Sequence, residues 1–211
     1  MSGGHEDGHG HSHDTRPDNE RPWSEDQYLE TALRELLIEK GIVTSADVHR
    51  QVEAMDARTP ARGARVVAKA WADPEFKARL LGDDASDVVR ELGIEIEPVR
   101  LIVLENTDAV HNMVVCTLCS CYPRNLLGVP PDWYKARAYR SRAVLEPRAV
   151  LHEFGLDIAD NRTVRVHDST ADMRYMVLPR RPAGTEGLSE DALADLVSRD
   201  AMIGVAEVAA P

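Results

Sequence analysis

Cysteine is scarce in this chain: there are three among 211 residues, all between positions 116 and 121. An odd number of thiols in one short run excludes a disulfide framework, because Cys116 paired with Cys119 would close only a tiny strained loop. Long apolar runs are missing as well. No stretch approaches the roughly 20 residues needed to cross a bilayer, and the polar, His-rich start lacks the basic-then-apolar order of a secretory signal. These absences predict a cytoplasmic protein that touches no membrane. Positive charge is in deficit too, with 25 Lys and Arg against 36 Asp and Glu and a net charge of −11. Phosphate backbones bind through clustered cations, so nucleic acid is not expected as a partner. No internal repeat is present.

What remains is enough for one substantial core, with 43% hydrophobic and 29% charged residues. Residues 1–23 are nearly devoid of apolar side chains and are expected to be disordered, because they cannot bury enough surface to offset ordering entropy. His5, His9, His11 and His13 lie there, at spacings that bind Co²⁺, Ni²⁺ or Zn²⁺ loosely; the tail either gathers metal or is inert. Residues 24–94 read as a helical arm. Ser24 with Gln27 makes a capping box before the stripe Tyr28, Leu29, Leu33 and Leu36, and Gly41 stops that helix. Thr44 or Ser45 opens a second helix, residues 66–71 continue as a third, and Asp73-Pro74 starts a fourth. A short helix through Val88, Val89 and Leu92 ends at Gly93. From residue 95 to 211 the pattern is mixed. Residues 99–104, 113–115, 163–167 and 173–178 read as strands, and helices are expected after Pro147 and after Ser189. The segment 121–137, punctuated by Pro123, Gly128, Pro130 and Pro131, is loop passing into a short helix. A helical arm followed by a mixed domain is the α+β class.

The run Val115-Cys-Thr-Leu-Cys-Ser-Cys121 is the most specific feature. One tight turn can aim all three sulfurs at a single point, which suits a metal ion. A closed zinc site needs a fourth ligand, which water or His111 would have to supply, and iron–sulfur clusters usually take four cysteines. A third arrangement uses the short loop's own backbone: deprotonated amides of Ser120 and Cys121 complete a square with the Cys119 and Cys121 sulfurs. Cys116 then stands axial and the sixth position stays open. Such strong donors favour low-spin trivalent cobalt or iron acting as a Lewis acid.

That run, followed by LGVPPDWYK, YRSR, EPRAVL, RYMVLP, RPAGTEG and RDAMIGVA and preceded by AWADPEFK, resembles the α subunit of nitrile hydratase from residue 24 onward. The resemblance implies a layered α/β/β/α metal-binding domain. It also implies one Co³⁺ per chain, since Thr at position 117 is similar to the cobalt type and Ser would mark the iron type. Cys116, Cys119 and Cys121 would ligate through sulfur, and Ser120 and Cys121 through backbone nitrogen. Cys119 would be a sulfinate and Cys121 a sulfenate, oxygenated sulfurs that need charge-assisted donors from a partner β subunit. The implied reaction is hydration of a small nitrile to its amide, a step of nitrile catabolism. Cys121, or a water it activates, would attack, and the Ser120 hydroxyl would tune the sulfenate. An α2β2 or larger heteromer and a cobalt-loading helper protein are implied partners.

Three departures from the family pattern fall near the expected pocket. Arg124 stands where a Trp is typical, Glu97 where many relatives have Gln, and Asp172 where a Glu is usual. A cation in place of an indole turns an apolar wall into an anion-attracting one. Arg124 and the His-rich tail are similar to the γ subunit of thiocyanate hydrolase, which implies an alternative: hydrolysis of thiocyanate to carbonyl sulfide and ammonia. A non-catalytic cobalt carrier is the other alternative. His111, His152 and His167 have no partner at ligand spacing and read as structural. Trp71, Trp133, Tyr134 and Tyr139 read as packing residues. Lys135, Arg137, Arg140 and Arg142 suit either acids of the β subunit or a solvated face.

Overall fold

The computed structural model describes residues 22–96 and 98–211, so the His-rich tail up to Arg21 and the pocket candidate Glu97 lie outside the described residues. The described residues divide into two compact units, with the boundary between His49 and Arg50. In the first, α1 (Glu25–Glu39) starts from the expected capping box: Ser24 accepts from the Gln27 amide, and Gln27 accepts from that of Ser24. No residue of α1 is buried, and Leu29, Leu33 and Leu36 leave its apolar stripe exposed. Helix α2 (Ser45–Asp56) begins after Thr44, which exchanges hydrogen bonds with Asp47.

The second unit carries α3 (Pro60–Ala72), α4 (Pro74–Leu80), α5 (Ser86–Arg90), β1 (Arg100–Glu105) and β2 (Val110–Val115). Helices α6 (Arg124–Leu127), α7 (Asp132–Lys135), α8 (Arg137–Leu145) and α9 (Pro147–Glu153) follow. Then come β3 (Thr163–Asp168), β4 (Met173–Leu178), α10 (Glu190–Asp195) and α11 (Arg199–Ile203). The strands form two parallel pairs. β1 runs beside β4, with Arg100 opposite Met173, and β2 beside β3, with Val110 opposite Thr163 and Val115 opposite Asp168. Parallel neighbours need long crossovers, and the β2-to-β3 crossover holds the cysteine run and helices α6 to α9. The α+β class read from the sequence is the class observed. Among the described residues no helix is long and apolar enough to cross a membrane.

One core joins Val66 and Val67 of α3, Phe76 and Leu80 of α4, and Val89 of α5 to Leu101, Met113, Met176 and Met202. Helical residues from Arg50 onward, grouped with the arm by their pattern alone, therefore belong to the same compact unit as the strands. The apolar face of α3 is what binds them there, since Val66, Val67 and Ala70 are fully buried. Two further helices differ from the sequence reading. Helix α8 is rich in Arg and buries only Tyr139 and Ala143, so its periodicity is faint. The last helix is two: α10 stops at Asp195, and Ser198 opens α11 by accepting from the Ala201 amide.

Candidate metal centre

Strand β2 ends at Val115 and delivers Cys116, 1% exposed, to the edge of the core. The chain then turns sharply, and side chains from three other elements hold the turn. The carboxylate of Asp168, at the end of β3, accepts from both the amide (2.9 Å) and the hydroxyl of Thr117. Arg140 of α8 donates through Nη1 to the carbonyl of Cys119 at 3.0 Å. Tyr134 of α7 donates through Oη to the carbonyl of Cys121 at 2.9 Å. Within the turn, the Cys119 amide donates to Cys116 Sγ at 3.3 Å. Satisfying these backbone groups from outside leaves the loop free to bend its sulfurs inward.

The result is a convergence of three free thiols. Sγ of Cys116 lies 3.4 Å from that of Cys119, which lies 3.2 Å from that of Cys121, and all three fall within 4.8 Å of one another. Hydrogen bonds from Cys121 and Cys116, helped by the Ser120 and Cys121 amides, pull the Cys119 thiol down to about 7. Burial, reinforced by the neighbouring Cys119, pushes Cys121 up to about 12, against the pull of Arg174. The lowered pKa favours the thiolate at Cys119 over Cys121, and Cys119 is the most exposed of the three. A set of soft sulfurs with one thiolate already accessible is a metal-binding chemistry, since the thiolate is the ligating form.

The claw opens on a cleft of about 390 Å³ whose lining includes Cys119, Ser120, Cys121, Arg58, Arg124 and Arg174. Of the pocket candidates, Arg124 lines this cleft. Asp172 does not: it is exposed, its amide donates to Thr170 Oγ1 at 3.3 Å, and its carbonyl accepts from the Arg100 amide. His111 is no fourth ligand. It is fully buried, with Nε2 2.8 Å from the Gly204 carbonyl and Nδ1 3.3 Å from Asn106 Nδ2, and burial lowers its pKa. Of the basic run, Lys135 pairs with Asp132 and Arg142 with Glu146 and Glu153, whereas Arg140 serves the claw. Trp133, Tyr134, Tyr139 and Phe154 form one aromatic cluster, so the packing role holds, but the Tyr134 hydroxyl also reaches the claw.

Sequence reasoning did not find Asp168, Arg58 or Arg174. The signal for Asp168 was its place at the end of an alternating strand, and it needed the parallel register with β2 to become readable. Charge-assisted hydrogen bonds of this kind contribute roughly 1.5–3 kcal/mol each. Asp168→Ala is therefore expected to loosen the turn and weaken metal retention roughly 10–100-fold, with Asp168→Asn intermediate because one acceptor survives. Metal competition titrations check this; retention equal to wild type in the Ala variant would show that the turn holds without Asp168.

Comparison with known proteins places these features in context. A sequence model described as "Nitrile hydratase, alpha chain" matches residues 24–206. The chain is 53% identical over 183 residues to a nitrile hydratase subunit alpha from Rhodococcus sp, covering 85% of this chain and 92% of that one. It is 51% identical over 177 residues to a cobalt-containing nitrile hydratase subunit alpha from Pseudonocardia thermophila, covering 82% and 86%. A solved structure described as a recombinant thiocyanate hydrolase comprising partially modified cobalt centers matches with a TM-score of 0.82 and 42% identity, covering 88% of this chain and 90% of that one.

Proposed function

The chain belongs to the nitrile hydratase alpha-chain family, and on that premise we propose that it is the metal-binding subunit of a cobalt enzyme that adds water across a nitrile C≡N bond to give the amide. The observation that carries this reading is the convergence of three free sulfurs at the wall of a small-molecule cleft. Sulfurs of Cys116, Cys119 and Cys121 and the backbone nitrogens of Ser120 and Cys121 would hold one cobalt ion. When bound, trivalent cobalt supplies Lewis-acid polarisation of the nitrile without redox turnover. A cobalt-containing relative at 51% identity and the Thr at position 117 support the choice of metal.

The residues of this chain do the rest. Asp168, Arg140 and Tyr134 fix the turn. In the cobalt-loaded subunit Cys119 would carry two added oxygens and Cys121 one, and Arg174, which pulls the Cys121 pKa down, would offset the negative charge there. Ser120 lines the cleft next to Cys121 in the chain, and its hydroxyl would tune the oxygenated sulfur there. A β subunit completes the site. Beside the claw, Leu118 is 89% and Leu145 82% exposed, apolar surface that suits such a partner. We place the enzyme in the cytoplasm, as a heteromer of at least two subunit types loaded by a helper protein.

Arg124 favours a second reading, thiocyanate hydrolysis, because it sets a cation in the cleft and the chain resembles a thiocyanate hydrolase in structure. The test is parallel assay of acrylonitrile, an aromatic nitrile and thiocyanate on the complex assembled with its β partner in the presence of cobalt. Expected are amide products, one cobalt per chain, and Cys119 and Cys121 peptides heavier by two oxygens and one. Zinc alone in the protein would overturn the cobalt reading. Carbonyl sulfide and ammonia without any amide would put the second reading in its place, and metal that leaves the complex without turnover would mark a carrier.

A further inference from the structure

The cleft holds more positive charge than the metal site accounts for. Arg58, in the turn before α3, and Arg124, the first residue of α6, both line it. They are held in fixed relation by one short stretch of backbone. The Gly128 amide donates to the Arg124 carbonyl at 2.9 Å, and the Arg58 carbonyl lies so close to Gly128 that a Cβ there would meet it at 2.6 Å. Arg174 is different, because its Nη1 donates to the carbonyls of Thr170, Ala171 and Met173 and is occupied with the turn before β4. Neither Arg58 nor Arg124 has a side-chain acceptor among the described residues, and no carboxylate is among the described lining residues. Two arginines, each with a planar charged fork, thus line one concavity with no carboxylate partner among the described residues.

We propose that the substrate is an anionic nitrile, one carrying a carboxylate set apart from the reacting C≡N group, and that Arg58 and Arg124 bind that carboxylate. This rests on the nitrile-hydrating reading above and names the substrate class for it. Guanidinium forks match carboxylates in two-point contacts, which fixes orientation as well as charge. The volume argues for a body beyond a triatomic ion: about 390 Å³ falls within the range of roughly 300–1,000 Å³ typical of ligand pockets. The rest of the chain sharpens the effect. A cationic concavity on a molecule of net charge −11 makes the cleft the favoured landing place for an anion.

The experiment compares matched nitriles on the assembled holoenzyme: cyanoacetate against cyanoacetamide, and para-cyanobenzoate against para-cyanobenzamide. In wild type, kcat/KM is expected to favour the carboxylate at least about tenfold in one of the pairs, the effect of one charge-assisted contact, and to lose that preference as salt is raised. Arg58→Gln and Arg124→Gln are each expected to lower the carboxylate-to-carboxamide ratio about tenfold, through KM. Arg58→Lys, which keeps the charge, should retain most of it. Equal or better turnover of the carboxamide in both wild-type pairs overturns the inference, as does a ratio unmoved in both Gln variants. Either result leaves nitrile hydration standing, because the carboxamides are then still hydrated. Failure of all four nitriles while thiocyanate is consumed removes the underlying reading instead.

Discussion

Replacing Cys116 by serine is expected to strip the chain of its metal and its turnover while leaving the fold in place. Cys116 is the only one of the three thiols that is buried, and it is fixed by the strand that precedes it, so it is the anchor from which the turn is built. The two sulfurs that remain lie on a loop two residues apart. A serine hydroxyl is a hard donor that stays protonated, so it cannot replace a thiolate toward a soft or low-spin ion. The core does not depend on the sulfur. Met113, Val114 and Val115 keep their packing, and the Cys119 amide that now donates to Cys116 Sγ at 3.3 Å can donate to the new oxygen. A buried hydroxyl with one partner costs at most about 1–3 kcal/mol, a loss of a few degrees in Tm at roughly 2–4 °C per kcal/mol for a chain of this size. Metal per chain is expected below one-tenth of wild type, and kcat to fall at least about 10²–10³-fold, the cost of removing a main electrostatic element from an active site. Elemental analysis and amide production by the complex with its β partner check both. A serine variant that holds a full complement of metal would mean the ion does not sit on this turn.

The claw was legible in the sequence for a simple reason: all its sulfurs fall within six residues, so no tertiary information is needed to bring them together. Helix starts were legible on the same ground. Ser24, Asp73 and Ser189 each accept from amides two or three residues ahead, which is local chemistry. What supports the claw was not. Asp168 stands 51 residues beyond Thr117 and Arg140 21 beyond Cys119, and only the parallel register of β2 with β3 and the turn of α8 bring them near. A lone Asp after an alternating strand looks like any surface carboxylate. Of the departures from the family pattern, Arg124, which follows the claw closely, lines the cleft, whereas Asp172 is exposed and away from the lining. Arg174, two residues on, lines the cleft instead. Asp172 lies in the turn before β4 and Arg174 within the strand, and residue type alone does not tell which of two nearby polar residues reaches the cleft.

The substitution expected to damage fold and site together is Gly204→Ala, far from any cysteine. Gly204 follows α11 with φ of +90°, a conformation that costs an L side chain roughly 1–2 kcal/mol. Space is the harder constraint. A Cβ at this position would lie 2.0 Å from the Asn112 carbonyl oxygen and 3.0 Å from the Met113 α-carbon, both backbone atoms of β2. The strand cannot yield by a rotamer change; it must move. The Gly204 carbonyl also holds the buried His111 ring at 2.8 Å, so displacement breaks a hydrogen bond inside the core. Asn112 is bound in turn to the Asn106 side chain, to the Glu105 carbonyl and to His167, and those contacts tie β2 to its neighbours. Shifting β2 shifts Cys116 at its end. A destabilisation above about 4 kcal/mol is expected, in the range that marks a broken core, with Tm lower by roughly 8–16 °C and metal lost in proportion to the unfolded chain. Gly155→Ala is the control: its φ is +80°, but nothing lies within 4 Å of the added Cβ. It should cost only the backbone term, roughly 1–2 kcal/mol, and keep its metal. Equal melting of the two variants would show that β2 tolerates the intrusion and that contact with α11 does not position the claw.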